Sequence, residues 1–126
     1  MAKPPGDVES LNKSALVGAA VEGLRQKGAS PDEVAAVERV LASLPTTPER
    51  VELGCVVDVQ EADGRRARYL VLPAGEGLVV GKMVSAALVT TPAAAVGKAL
   101  LGRVVGERVE IMGKKGPRAL QITALG

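Results

Sequence analysis

Residues 30 to 61 read SPDEVAAVERVLASLPTTPERVELGCVVDVQE, and the spacing of the apolar residues changes midway through that run. Before Pro45, Val34, Val37, Leu41 and Leu44 recur at spacings of three, four and three, which is one face of a helix. Ser30-Pro31-Asp32-Glu33 opens that helix with a serine N-cap, proline at the first helical position and glutamate three residues after the cap. Pro45-Thr46-Thr47-Pro48 ends it as a short stiff linker. Beyond Pro48, Glu52 to Glu61 is rich in valine and reads as a strand. Helix and sheet are therefore segregated along the chain, and the fold class is α+β.

On the N-terminal side, Met1 to Gly6 form a Pro/Gly leader without the apolar core of a secretory signal. The stretch from Asp7 to Lys27 is expected to be a helix, with Asp7 as N-cap and Val8, Leu11 and Ala15 at helical spacing. Val17, Ala20, Val21 and Leu24 continue the stripe, and Gly28 stops it. Two helices joined by so short a loop make an antiparallel hairpin, about 20 to 30 Å long at about 1.5 Å per residue. The expected division is a hairpin with its linker over residues 1–48 and a sheet domain over 49–126.

On the C-terminal side, Ala62-Asp63-Gly64 is a hairpin turn. Arg65 to Leu72 alternates, with Ala67, Tyr69 and Val71 on one face and Arg66, Arg68, Leu70 and Leu72 on the other. Pro73 to Gly77 is a loop, and one main strand is expected over Met83 to Val89. Thr91 to Leu101 reads as a short helix ending at Gly102. Gly97 inside it implies close backbone packing or a helix that begins later than Pro92. Glu107–Met112 and Arg118–Leu125 form a last hairpin, with Val109 and Ile111 facing Leu120 and Ile122. The expectation is an antiparallel sheet of four or five strands covered by one short helix.

Composition removes whole classes of chemistry. The chain has 126 residues, one Tyr, one Cys, and no Phe, Trp or His. Without histidine there is no Ser-His-Asp or Cys-His machinery and no imidazole metal ligand. One cysteine makes neither an internal disulfide nor a thiolate zinc site; Cys55 is expected to be a small core hydrophobe in a reducing compartment. Tyr69 is expected half-buried with its hydroxyl at the rim. No run of about 18 apolar residues exists to span a membrane, so a cytoplasmic, non-enzymatic protein without cofactor or metal is expected. Sixteen basic and 14 acidic residues are too evenly balanced to indicate nucleic-acid binding. The basic clusters Arg65-Arg66, Arg68 and Lys114-Lys115 read as solvated faces, with an acidic partner surface as the alternative.

Tyr69-Leu70-Val71-Leu72-Pro73, Thr90-Thr91-Pro92 and above all Gly97-Lys98-Ala99-Leu100-Leu101-Gly102-Arg103-Val104-Val105-Gly106-Glu107 resemble the C-terminal domain of the Gre family of bacterial transcription factors. The resemblance covers residues 51 to 126 and implies an FKBP-like domain that docks on the rim of the RNA polymerase secondary channel. Residues Ala94, Ala95, Val96, Gly97 and Lys98 fall on the family's docking surface, with Ala94-Ala95 in place of its Ser-Pro. In that family an N-terminal coiled coil carries acidic tip residues that help hold a magnesium ion for cleavage of backtracked RNA. Asp32 and Glu33 sit near the corresponding tip, where they also complete a capping box. The hairpin is too short to reach the polymerase active centre and resembles the shortened one in the regulator of nucleoside diphosphate kinase.

The expectation is thus a polymerase-binding regulator that does not stimulate cleavage, either monomer or weak dimer. The alternatives are a module that dimerises or docks elsewhere through Val34, Val37 and Leu41, and a peptidyl-prolyl isomerase. The isomerase needs an aromatic-walled pocket that one tyrosine does not supply.

Overall fold

Residues 12–46, 48–82, 86–113 and 116–126 are described by the computed structural model of the chain. The elements run α1 (Lys13–Gln26), α2 (Pro31–Ala42), β1 (Val56–Glu61), β2 (Arg66–Val71), β3 (Val79–Val80), β4 (Ala87–Thr90), α3 (Ala95–Leu100), β5 (Arg108–Gly113) and β6 (Gly116–Leu125).

α1 begins at Lys13, where the Asn12 side chain caps it by accepting from the Ala15 N–H. Asp7, Val8 and Leu11, expected in its first turns, lie outside the described residues. α2 starts with the full capping box: Ser30 accepts from the Glu33 N–H, and the Glu33 carboxylate accepts from the Ser30 N–H. The Arg25–Glu38 ion pair and a bond from the Lys13 ammonium to the Pro45 carbonyl bind the two helices side by side in opposite directions.

The sheet order is β3-β4-β2-β1-β6-β5. All neighbours pair antiparallel except β2 and β4, which are parallel with Leu70 beside Val89. The sheet is therefore mixed and has six strands among the described residues, where four or five antiparallel ones were expected. The one main strand expected over Met83–Val89 is β4, Ala87–Thr90, and an additional short strand before it, β3, pairs with it antiparallel, with Gly81 at φ 80° following β3. Met83, the expected start, is outside the described residues. β1 starts at Val56 because Leu53-Gly54 is a turn, with Gly54 at φ 92°.

The hairpin lies on one face of the sheet and α3 on the other. Leu16, Val17, Ala20, Val21, Leu24, Val34 and Val37 pack with Val56, Leu70, Leu72, Val80 and Val89. The opposite core holds Val57, Val59, Tyr69, Val71, Leu100, Leu120 and Ile122. The alternation expected along β2 holds, with Leu70 and Leu72 toward the hairpin and Tyr69 and Val71 toward α3. Val37 is fully buried and Val34 nearly so, which leaves neither free to form a dimer through the hairpin. Leu41, the third residue of that alternative, is partly buried against the same core. A fully buried valine or leucine contributes about 1.5–3 kcal/mol, so the hairpin is anchored to the sheet by many such contacts.

Candidate functional site

α3 is six residues long and starts later than Pro92, and both readings of its glycine hold. A Cβ on Gly97 would meet the carbonyl oxygen of Thr91 at 2.0 Å. The helix thus rests its backbone directly on the end of β4. Thr90 and Thr91 are buried there; the Thr91 N–H donates to the Glu76 carboxylate at 2.7 Å, and Thr90 Oγ1 has no partner. Gly102 at φ 80° follows the helix and turns the chain toward β5.

This placement divides the five residues expected to form a docking patch. Ala95 and Lys98 are exposed, Ala94 and Val96 are half-buried, and Gly97 is buried. Gly97 shapes the patch from beneath instead of belonging to its surface. Ala94 is the N-cap residue, in extended conformation, and provides no side-chain bond to the helix.

Ala95 and Val96 form one wall of a groove of about 780 Å³. The β5–β6 hairpin supplies its apolar floor through Ile111, Met112 and Pro117. The β1–β2 turn supplies a charged rim. Glu61 accepts from Arg118 at 2.7–2.8 Å, and Asp63 accepts from the Arg65 guanidinium at 2.6 Å and from its N–H at 3.0 Å. Those bonds hold the Asp63 carboxyl below its ordinary range, the Arg65 N–H first and its guanidinium second. The Glu61 carboxylate, and after it the Tyr69 hydroxyl, raise the Arg118 guanidinium against the opposing effect of burial. Tyr69 itself is 6% exposed, so it is buried rather than half-buried, and its hydroxyl meets Arg118 at the groove. No lining residue of the groove is aromatic.

An apolar floor with fixed charges at its rim suits a protein segment, because shape and burial supply affinity while the ion pairs orient the guest. Its two carboxylates, Glu61 and Asp63, are each tied to an arginine. The sequence pointed to Ala94–Lys98 but not to Glu61, Ile111, Met112, Pro117 or Arg118. These come from three separated segments, and only the strand order brings them together.

Asp32 and Glu33 are both exposed in the first turn of α2. The Glu33 carboxylate is occupied by the Ser30 N–H and hydroxyl, at 3.4 and 3.2 Å. Among the described residues, no three His, Cys, Asp or Glu side chains gather to hold a metal ion. Cys55 is fully buried, and burial pushes its thiol up despite the Glu52 N–H bond and the nearby Lys13 ammonium. No described helix is long and apolar enough to cross a membrane.

No family model and no curated protein matches the chain. Solved structures do. The GreA factor homolog 1 (Gfh1) of Thermus thermophilus is 21% identical over 87% of this chain and 82% of its own, with a TM-score of 0.51. Gfh1 of Thermus aquaticus is 23% identical over 90% and 86%, with a TM-score of 0.52. A third structure, described as the transcription factor Gfh1, is 22% identical over 90% and 85%, with a TM-score of 0.53. The chain has a Gre-family-like fold, as the resemblance over residues 51 to 126 implied.

Proposed function

We propose that this chain is a non-enzymatic bacterial transcription regulator that binds RNA polymerase near the rim of its secondary channel and does not stimulate transcript cleavage. The observation that carries the second part is the hairpin. α1 has 14 residues and α2 has 12, so at about 1.5 Å per residue the longer helix spans about 21 Å. Its apolar stripe is packed on the sheet, and of its two tip carboxylates Glu33 is committed to the capping box. Such a hairpin has no reach with which to deliver Asp32 and Glu33 to a distant metal ion.

In this reading the two parts of the chain have separate roles. The sheet unit, residues 49–126, docks through Ala95, Lys98 and the groove beside α3. The hairpin of α1 and α2 braces the sheet. The chain acts in the cytoplasm by occupying a site that cleavage factors also use. The groove without aromatic walls favours this protein-docking role over prolyl isomerisation.

A cleavage assay on backtracked transcription complexes tests the proposal, run with and without a full-length cleavage factor. The chain alone leaves the transcript intact, and in excess it suppresses cleavage by the factor. Stimulation of cleavage by the chain, or indifference to it at saturating concentration, overturns the reading.

A further inference from the structure

The sheet ends on two unequal edges. β3 consists of Val79 and Val80 alone and runs into Gly81 at φ 80°, so it offers little to pair with. β5 has six residues and, among the described residues, a strand neighbour, β6, on one side only.

The register shows which backbone groups of β5 face outward. Met112 stands opposite Pro117, which has no N–H, so that pair is not hydrogen-bonded. Antiparallel alternation then makes Glu110–Ala119 and Arg108–Gln121 non-bonded pairs too. The N–H and C=O groups of Arg108, Glu110 and Met112 therefore point away from β6.

The side chains are equally specific. Arg108 and Glu110 are exposed on the same face of the strand, two residues apart, while Val109 and Ile111 turn into the core. Neither charge has an ion-pair or hydrogen-bond partner for its side chain among the described residues. An edge protected by charge repels a copy of itself when the charges share one sign. Here the signs alternate, so the edge is complementary to itself.

We propose that β5 pairs with β5 of a second copy of this chain, antiparallel, about a two-fold axis through Val109. In that register Arg108 of each copy lies directly opposite Glu110 of the other. The same residue pairs exchange the outward backbone hydrogen bonds, and Val109 meets its counterpart at the axis. Moving the axis to Glu110 would set like charges opposite each other, which selects the Val109 register. Met112, 73% exposed, is then carried toward the turn of the other copy that holds Val105, itself 52% exposed. The paired stretch is short, so the dimer is weak and depends on concentration.

Sedimentation equilibrium on the full chain, up to about 1 mM, tests the proposal. The wild type follows a monomer–dimer equilibrium. Arg108→Glu and Glu110→Arg each weaken association roughly tenfold or more, because both place like charges opposite each other. An equimolar mixture of the two variants regains association, since each introduced charge meets its opposite. Both variants keep the wild-type unfolding midpoint, because both side chains are exposed and have no partner among the described residues. A wild type that stays monomeric at about 1 mM overturns the proposal. So do variants that associate as the wild type does, or a mixture that does not recover.

Discussion

A Cβ added to Gly97 would stand 2.0 Å from the carbonyl oxygen of Thr91 and 2.6 Å from the carbonyl carbon. Backbone does not yield as a flexible side chain does, so Gly97→Ala must displace α3 from the end of β4. It is expected to destabilise the fold by about 2–4 kcal/mol, although alanine is the better helix former by about 1 kcal/mol. Gly18, inside α1, has nothing within 4 Å of its missing Cβ. Gly18→Ala is expected to stabilise by about 0.5–1 kcal/mol. Urea midpoints of the two variants should move in opposite directions, and movement in the same direction contradicts the packing described for α3.

α2, which is capped, and α3, which lacks a side-chain cap, allow a paired test of local chemistry. Ala94 has the extended backbone of an N-cap but no oxygen to offer the helix. Ala94→Ser should therefore stabilise by up to about 1 kcal/mol, while Ser30→Ala should cost about 1 kcal/mol by opening the box with Glu33. Glu33→Gln keeps the geometry of the box and should leave the melting temperature nearly unchanged. If Glu33→Gln is as damaging as Ser30→Ala, the carboxylate has a role beyond capping.

Asp58 and Arg68 stand opposite each other on β1 and β2, joined by two hydrogen bonds of 2.7 and 3.1 Å. Their side chains are 24% and 14% exposed, well sheltered from water. A double-mutant cycle through Asp58→Ala and Arg68→Ala should give a coupling of about 1–2 kcal/mol. The Arg25–Glu38 pair, about half exposed on both sides, should couple by no more than about 0.5 kcal/mol. Equal couplings at the two sites would mean that burial does not govern these pairs.

Burial raises the Cys55 thiol above its ordinary 9.0, so the folded state holds that proton more tightly than the unfolded chain does. The resulting stabilisation is complete below pH 9.0 and disappears as the pH climbs through the raised folded value. Cys55→Ala removes this dependence along with some packing. The stability difference between wild type and Cys55→Ala should be constant from pH 7 to about 8.5 and shrink above 9. Urea unfolding at stepped pH measures it, and a difference that grows in alkali contradicts the buried, protonated thiol. Lys13 shifts in the opposite sense through burial, and the Cys55 thiolate opposes that shift, so the difference in alkali reports the two groups together.

What the sequence made legible was local. The stripe Val17, Ala20, Val21 and Leu24, the Ser30–Glu33 box and the Asp63-Gly64 turn each rest on neighbours within a few positions, and each is found where its chemistry placed it. The parallel pairing of β2 with β4 was not legible, because Leu70 and Val89 are brought together by the whole sheet. The groove is hidden for the same reason: Val96, Met112 and Arg118 belong to separate segments with no common spacing. Gly97 stood out in the sequence as a helical glycine needing a reason. Its neighbour Thr91 supplies that reason only once β4 is in place. Asn12 went unrecognised as a cap because Asp7 offers the same chemistry earlier in the chain.

The proposed docking of the sheet unit on RNA polymerase uses the exposed edge of α3. Gly97 is unsuited to testing it, since a change there disturbs the fold. Ala95 and Lys98 are exposed and suit the purpose. The most direct measurement is the equilibrium binding of the labelled chain to purified bacterial RNA polymerase, repeated with Ala95→Asp and Lys98→Glu. Saturable binding at micromolar concentration or below is expected, weakened about tenfold or more by each substitution with the unfolding midpoint unchanged. No binding by the wild type at micromolar concentration, or binding that neither substitution alters, contradicts it.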